Sequence, residues 1–326
     1  MSGRALRQPD LRLFRKVKMK VAIIGQQDFG KAVLNAFLER GDEVAGVFVA
    51  PDKEGAKPDP LKVAAQEKGL KLFQFPSYRK AEAQDALREL DADIGIMAYV
   101  LLFAPQEFVN IPKHGTIQYH PSLLPLHRGP SSINWPIIWG STRTGLTIFR
   151  PDDGLDEGPV VLQKECEIGA DETIGDIYFN KLFPIGVKAM LEAADLVVAG
   201  KHTETVQDES TATYEGWCRS AAAHIDWTKP IDQVYNLIRG CNPAPGAWTS
   251  FNGAKLQIFD ARKVIFRKFG DVVGKMGEVS DVTDSSFKVT AQGGRIEVLR
   301  VKAEGGKKVA AGEFATANGL KAGAIL

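Results

Sequence analysis

Apolar and polar positions fall into alternating blocks from residue 20 to about residue 200. KVAIIG (20–25) is an unbroken apolar run closed by glycine, the pattern of a strand buried on both faces. KAVLNAFLER (31–40) shifts to helical spacing and stops at Gly41. DEVAGVFVAPD (42–52) is a second strand ending at a proline. A helix over about 60–69 leads to KLFQF (71–75), and a helix over about 82–90 leads to DIGIMAYVLLF (93–103). GTIQYH (115–120) and TGLTIF (144–149) read as further strands, and a long helical stretch over 173–199, interrupted at Pro184, closes the unit. Strands alternating with helices of this length define βαβ units, hence an α/β fold on a mostly parallel sheet.

From Lys201 to Ala222 the chain is polar and turn-rich. The pattern predicts a first domain over 19–205, a linker over 206–222 and a second domain over 223–326. The second domain opens with a helix (230–240), passes through the Pro/Gly cluster CNPAPGAW, and continues as short strands: KLQIFDA, SFKVTA and GGRIEVLRVKA. Short strands at this spacing suit a small β-barrel or sandwich.

Composition narrows the classes. The 326 residues are 44% hydrophobic and 25% charged with a net charge of +1, an ordinary globular balance with no global field for DNA or for an anionic membrane. From Lys255 onward 13 Lys and Arg stand against 8 Asp and Glu, a local +5 that reads as a solvated surface. Cys166, Cys218 and Cys241 are far apart in sequence and form no CxxC pair, which argues against a zinc site or a disulfide frame and fits a reducing, cytoplasmic compartment. No apolar run approaches the roughly 20 residues of a membrane span. The first 18 residues carry six basic residues against Asp10 alone. They read as an unstructured extension or an early start ahead of Met19, with a targeting presequence as the alternative.

The chemistry gathers at predicted strand ends, where ligands of open α/β sheets bind. The turn GQQDFGK (25–31) is not a dinucleotide fingerprint, because Gln27 stands where a second glycine would let a pyrophosphate approach. It reads as a tight strand-to-helix turn, and no NAD(P) is expected. Gln118 and His120 are two apart on a strand and so share a face, with Pro121 fixing the turn that follows. The acidic loop PDDGLDEGPV (151–160) lies between two strands. If it reaches the same strand end, a carboxylate can pair with His120 and set its tautomer. An amide, an imidazole and a carboxylate together stabilise a tetrahedral acyl-transfer intermediate: Gln118 and His120 donate to the oxyanion and Asp156 handles protons. No GxSxG nucleophile is present, so the acceptor itself or water attacks. Trp135 and Trp248 read as core or domain-contact aromatics.

HPSLLP, followed by DDGLDEG with Asp156 36 residues after His120, resembles the signature of the 10-formyltetrahydrofolate-dependent formyltransferases. Within that family the likeness is greatest to the hydrolase domain of the 10-formyltetrahydrofolate dehydrogenases, through KVAIIGQQDFGK, HGTIQYHPSLLPLHRGPSSINW, TYEG and IRGCNPAPGAW. It covers about Met19 to Ser250 and, more loosely, the end of the chain. The resemblance implies a Rossmann-like first domain, a small OB-like second domain, and 10-formyltetrahydrofolate as formyl donor, with no metal. By position it makes His120 and Asp156 the catalytic pair. It places Ala98, Tyr99, Val100, Leu101, Phe103, Ser122, Leu123, Leu124, Pro125, Asp152, Asp153 and Gly154 around the folate.

Gln118 departs from the family, where the transferases carry Asn and the hydrolase domain an apolar residue. Its amide sits about 1.5 Å further out than that of Asn, and it leans toward transfer. The likeness to the dehydrogenase covers neither its carrier nor its aldehyde dehydrogenase domain, so no NADP-linked oxidation of formate is expected. The stretch PDKEGAKPDP (51–60), where tRNA formyltransferases carry a longer basic insertion, is short and balanced in charge. A small-molecule amine or water is therefore favoured as acceptor over tRNA. Three readings remain: transfer to an amine, hydrolysis to tetrahydrofolate and formate, and a non-catalytic folate-binding module.

Overall fold

β1 (Lys20–Gly25) is buried along almost its whole length between β2 (Glu43–Phe48) and β4 (Ile94–Ala98), both parallel to it. This computed structural model describes residues 18–266, 268 and 272–326, so the amino-terminal extension lies, Lys18 apart, outside the described residues. β1 and β4 close so tightly at their ends that a Cβ on Gly25 would lie 2.1 Å from the Ala98 carbonyl oxygen. α1 (Gln27–Arg40) starts inside the GQQDFGK turn, earlier than the apolar spacing predicts. The cause is distant in sequence: the Asp59 carboxylate accepts the Gln27 N–H at 2.9 and 3.0 Å and also caps the next helix through the Leu61 N–H at 2.8 Å. Gly41, at φ 92°, ends α1 in the left-handed conformation.

α2 (Pro60–Glu67), β3 (Leu72–Phe73), α3 (Ala81–Glu89), α4 (Gln106–Val109), β5 (Thr116–His120), α5 (Asn134–Ile138), β6 (Arg143–Phe149) and β7 (Val160–Glu167) complete a seven-stranded sheet of order β3-β2-β1-β4-β5-β6-β7. Strands β3 to β5 run parallel, whereas β6 and β7 are antiparallel to their neighbours. The long helix that closes the first domain is interrupted differently from the expectation. α6 (Ile174–Ile177) leads through a single wide π turn, Tyr178–Leu182, into α7 (Phe183–Val198). Pro184 sits in the first turn of α7, where its missing N–H costs little. Gly186 lets α7 approach the sheet, since a Cβ there would lie 2.7 Å from the Tyr119 ring.

The polar stretch after α7 carries one 3₁₀ turn, Glu209–Thr211, and runs across the first domain, bridging Thr205 to Val160 and Tyr214 to Arg128. Beyond it come α8 (Ile231–Gly240), β8 (Ala247–Phe251), β9 (Ala254–Ile258), β10 (Ala261–Ile265), β11 (Val279–Val282), β12 (Phe287–Ala291), β13 (Gly294–Val298), β14 (Arg300–Ala303), β15 (Val309–Ala310) and α9 (Ala311–Asn318). These strands form two antiparallel four-stranded sheets, β10-β13-β12-β11 and β15-β14-β9-β8, around a second core.

α5 joins the two halves. Trp135 and Ile138 pack on the second core, and the Asn134 amide donates to the Gly240 carbonyl at 2.8 Å. Trp248 also packs there and donates its indole N–H to Ser220 O. Cys218 and Cys241, far apart in sequence, bring their thiols to 3.8 Å as free cysteines. Among the described residues no helix is long and apolar enough to cross a membrane, and no group of three or more His, Cys, Asp or Glu could hold a metal.

Candidate active site

The site is built where β5 ends. Strand alternation turns Tyr119 into the core, its ring 4.3 Å from that of Phe29, and leaves Gln118 and His120 on the opposite face. Residues 121–127 then fold back under the strand end. The Ser122 hydroxyl bonds Leu126 O at 2.6 Å, and the Leu124 N–H bonds the Thr147 hydroxyl at 3.0 Å. The return brings the His127 carbonyl to 2.8 Å from His120 Nε2. A carbonyl only accepts, so Nε2 carries a proton, and the Nδ1 edge of the ring is the one turned toward Asp156.

Asp156 comes from the loop between β6 and β7. Its Oδ2 lies 3.5 Å from His120 Nδ1 and accepts the Gly129 N–H at 2.9 Å, while its Oδ1 lies 3.5 Å from Gln118 Nε2. The His120 and Asp156 side chains are 7% and 10% exposed, so any electrostatic interaction between them acts in a poorly solvated setting. The 3.5 Å spacing is long for a charge-assisted bond. Asp156 sits at φ 58°, in the left-handed region. Two turns hold it there. Asp152 accepts the Gly154 N–H at 3.0 Å, and Gly158 passes so close to Arg150 that a Cβ would lie 1.7 Å from its carbonyl oxygen.

These residues open onto a cavity of about 390 Å³. One wall is the exit of β4, from Tyr99, Val100 and Leu101 to Phe103; the others are Gln118 and His120, the loop residues Asp152, Gly154 and Asp156, and the opposing Gly129–Ser132 with Trp217. Of the anticipated folate residues, six lie outside this wall. Ala98 is buried within the sheet, and Ser122, Leu123, Leu124 and Pro125 form the turn beneath the strand end, shaping the site without facing it. Asp153 points away and accepts the Gln106 N–H at 3.2 Å. A larger hollow of about 520 Å³ between α8 and β10 contains none of the residues expected to be catalytic or to surround the folate.

Sequence reasoning missed the support for this site, which comes from the stretch expected to be a linker. Arg128 is fully buried. Its guanidinium donates to Gln207 Oε1 at 3.1 and 2.9 Å, to both Glu209 carboxylate oxygens at 2.8 and 2.6 Å, and to the Tyr214 hydroxyl. The Glu209 bonds hold Arg128 above its ordinary pKa despite burial. His127 donates its N–H to Thr213 Oγ1 at 2.8 Å and sets its ring Nδ1 3.0 Å from Glu215. The available signals were the basic pair His127–Arg128 beside the turn and the TYEG string (213–216).

Residues 18–193 match the sequence profile described as Formyl transferase, and residues 219–319 match that of the Formyl transferase C-terminal domain. The chain belongs to the formyl transferase family of enzymes, as the likeness carried by HPSLLP and DDGLDEG implies. Mitochondrial 10-formyltetrahydrofolate dehydrogenase of Mus musculus is 42% identical over 253 residues, 76% of this chain and 27% of that protein. The chain thus spans only about a quarter of the length of such dehydrogenases, 27% in the mouse and human proteins. Methionyl-tRNA formyltransferase of Syntrophus aciditrophicus is 31% identical over 314 residues, 95% of this chain and 99% of that enzyme. Among solved structures, HypX from Aquifex aeolicus in complex with tetrahydrofolic acid shares the fold with a TM-score of 0.66 at 18% identity, covering 92% of this chain and 47% of that one.

Proposed function

We propose that this enzyme takes the formyl group of 10-formyltetrahydrofolate and transfers it to an amine. The observation that carries the reading is the convergence of the His120 Nδ1 edge, the Asp156 carboxylate and the Gln118 amide at one end of an apolar-walled cavity. The side chains of Tyr99, Val100, Leu101 and Phe103 offer a slot for a flat heterocycle, and Asp152 and Gly154 supply polar edges. The acceptor nitrogen bonds to the formyl carbon, and a tetrahedral intermediate forms. Gln118 and His120 donate to its oxyanion. Asp156 receives the proton released by the amine and returns one to N10 of the folate as the C–N10 bond breaks. Neither proton nor charge is left over, and no covalent enzyme intermediate is needed.

A small-molecule amine fits better than tRNA, because the 51–60 stretch offers phosphate no surplus of positive charge. Three free thiols fit a cytoplasmic setting. A second reading has a specific observation behind it: 42% identity to the dehydrogenases, against 31% to the tRNA enzyme, favours water as acceptor and formate as product. The discriminating experiment follows tetrahydrofolate release from 10-formyltetrahydrofolate with no acceptor, with pooled small amines and with charged initiator tRNA. Release that depends on small amines supports the proposal. Release dependent on tRNA overturns the choice of acceptor, and equal release in all three makes the enzyme a hydrolase.

A further inference from the structure

We infer that Gln207 is a positioning residue for Asp156, an inference that rests on the catalytic reading of Asp156 given above. Gln207 is buried, with 6% of its surface exposed, and every hydrogen-bonding capacity of its amide is used. Its Nε2 donates to the backbone carbonyls of Asp156 at 2.9 Å and Gly158 at 2.7 Å. Its Oε1 accepts from Arg128 Nε at 3.1 Å and Nη2 at 2.9 Å. The Arg128 contacts fix which way the amide faces. Turned over, its NH₂ would meet guanidinium N–H groups and its oxygen would meet two carbonyls. The amide therefore presents two donors to the acidic loop from a rigid, charged anchor.

Asp156 needs such a clamp. At φ 58° Asp156 is in the left-handed region, which Asp tolerates better than most side chains, and its surroundings hold it there. Its carboxylate is fixed by the N–H of Gly129, the residue after Arg128, and its carbonyl by Gln207. Backbone and side chain of the proton carrier are thus both referred to the Arg128–Gly129 turn, the continuation of the segment whose His127 carbonyl orients His120. Gln207 does not line the cavity, so it acts on the reaction only through the placement of Asp156.

The test uses the full chain with Gln207→Met, which removes both sets of bonds, and Gln207→Glu, which keeps the Arg128 contact but sets an anion against two carbonyls. Each is made alone and combined with Asp156→Asn, and tetrahydrofolate release is measured with thermal melting alongside. A displacement of about 1 Å at a reacting group costs up to roughly 100-fold, so kcat is expected to fall about 10- to 100-fold with KM for 10-formyltetrahydrofolate within about threefold. In the Asp156→Asn background the same substitutions should cost less than about twofold more, because their route to the chemistry is already gone. If Gln207→Met does not fold, the Gln207→Glu pair decides.

A folded variant with kcat within about threefold of wild type overturns the inference, as does a change confined to KM or a cost that multiplies fully onto Asp156→Asn. Near-wild-type turnover in Asp156→Asn, or a wild-type chain without turnover, instead removes the catalytic reading and this inference with it. Inactive Asp156→Asn beside active Gln207 variants removes the inference alone.

Discussion

Replacing Asp156 by Asn separates fold from chemistry at the centre of the site. The structure sets both magnitudes. The Asp156 side chain is 10% exposed, accepts the Gly129 N–H at 2.9 Å, and belongs to a residue at φ 58°. An Asn oxygen can keep the Gly129 bond, and Asn is among the residues that best tolerate the left-handed region, so stability should change by less than about 1 kcal/mol. Asp156→Ala leaves the Gly129 N–H without its acceptor, about 1–3 kcal/mol, and loses the local support that makes the left-handed conformation tolerable, about 1 kcal/mol more. Chemistry responds in the opposite order of subtlety. Asn cannot take a proton from the attacking amine or return one to N10, so kcat should fall about 10²- to 10⁴-fold, or about 3–5 kcal/mol of barrier. Tetrahydrofolate release at saturating 10-formyltetrahydrofolate measures the first quantity and thermal melting the second. An Asn variant that keeps more than about a tenth of wild-type kcat would refute proton transfer through Asp156.

His120→Ala and Gln118→Ala test the oxyanion donors: the first should lose about 10²-fold or more in turnover and the second should lower kcat/KM, and unchanged values would show that the intermediate forms elsewhere. Tyr119→Phe removes a buried hydroxyl that has no hydrogen-bond partner among the described residues and whose ionisation burial pushes well above the ordinary phenol range. Kinetics should stay within about twofold and the melting temperature should hold or rise, since an unsatisfied buried group is lost; a marked fall in melting temperature would contradict the packing described. Gly158→Ala forces a Cβ to 1.7 Å from the Arg150 carbonyl oxygen, so the loop must open. Melting should drop by an amount equivalent to about 2 kcal/mol or more together with turnover, and normal values for both would show that the loop neck is not closed.

Much of the first domain was legible because its central strands are buried on both faces and therefore carry continuous apolar runs, as KVAIIG and DIGIMA do. Edges and starts were less so. KLFQF contributes only Leu72–Phe73 to the sheet, at its outer margin, and α1 begins early because Asp59, 32 residues away, caps it. His120, Gln118 and Asp156 could be found from strand alternation and motif spacing. Ser122 to Pro125 belong to the same motif yet lie beneath the strand end, because a motif records what the turn requires as well as what touches ligand. The clamp through Arg128 and Gln207 was illegible for a physical reason. A buried polar network needs the same residue types as a solvated linker, and only the fold reveals that Gln207 and Arg128 meet.

The central claim is that formyl transfer from 10-formyltetrahydrofolate runs through the His120–Asp156 pair. Its most direct test is one assay of tetrahydrofolate release by the purified chain, wild type and Asp156→Asn side by side, with and without small amines. Steady release by the wild type, stimulated by an amine, is expected, with near-complete loss in a variant that still folds and binds folate. Folate binding without release by the wild type, under every acceptor condition, would contradict it.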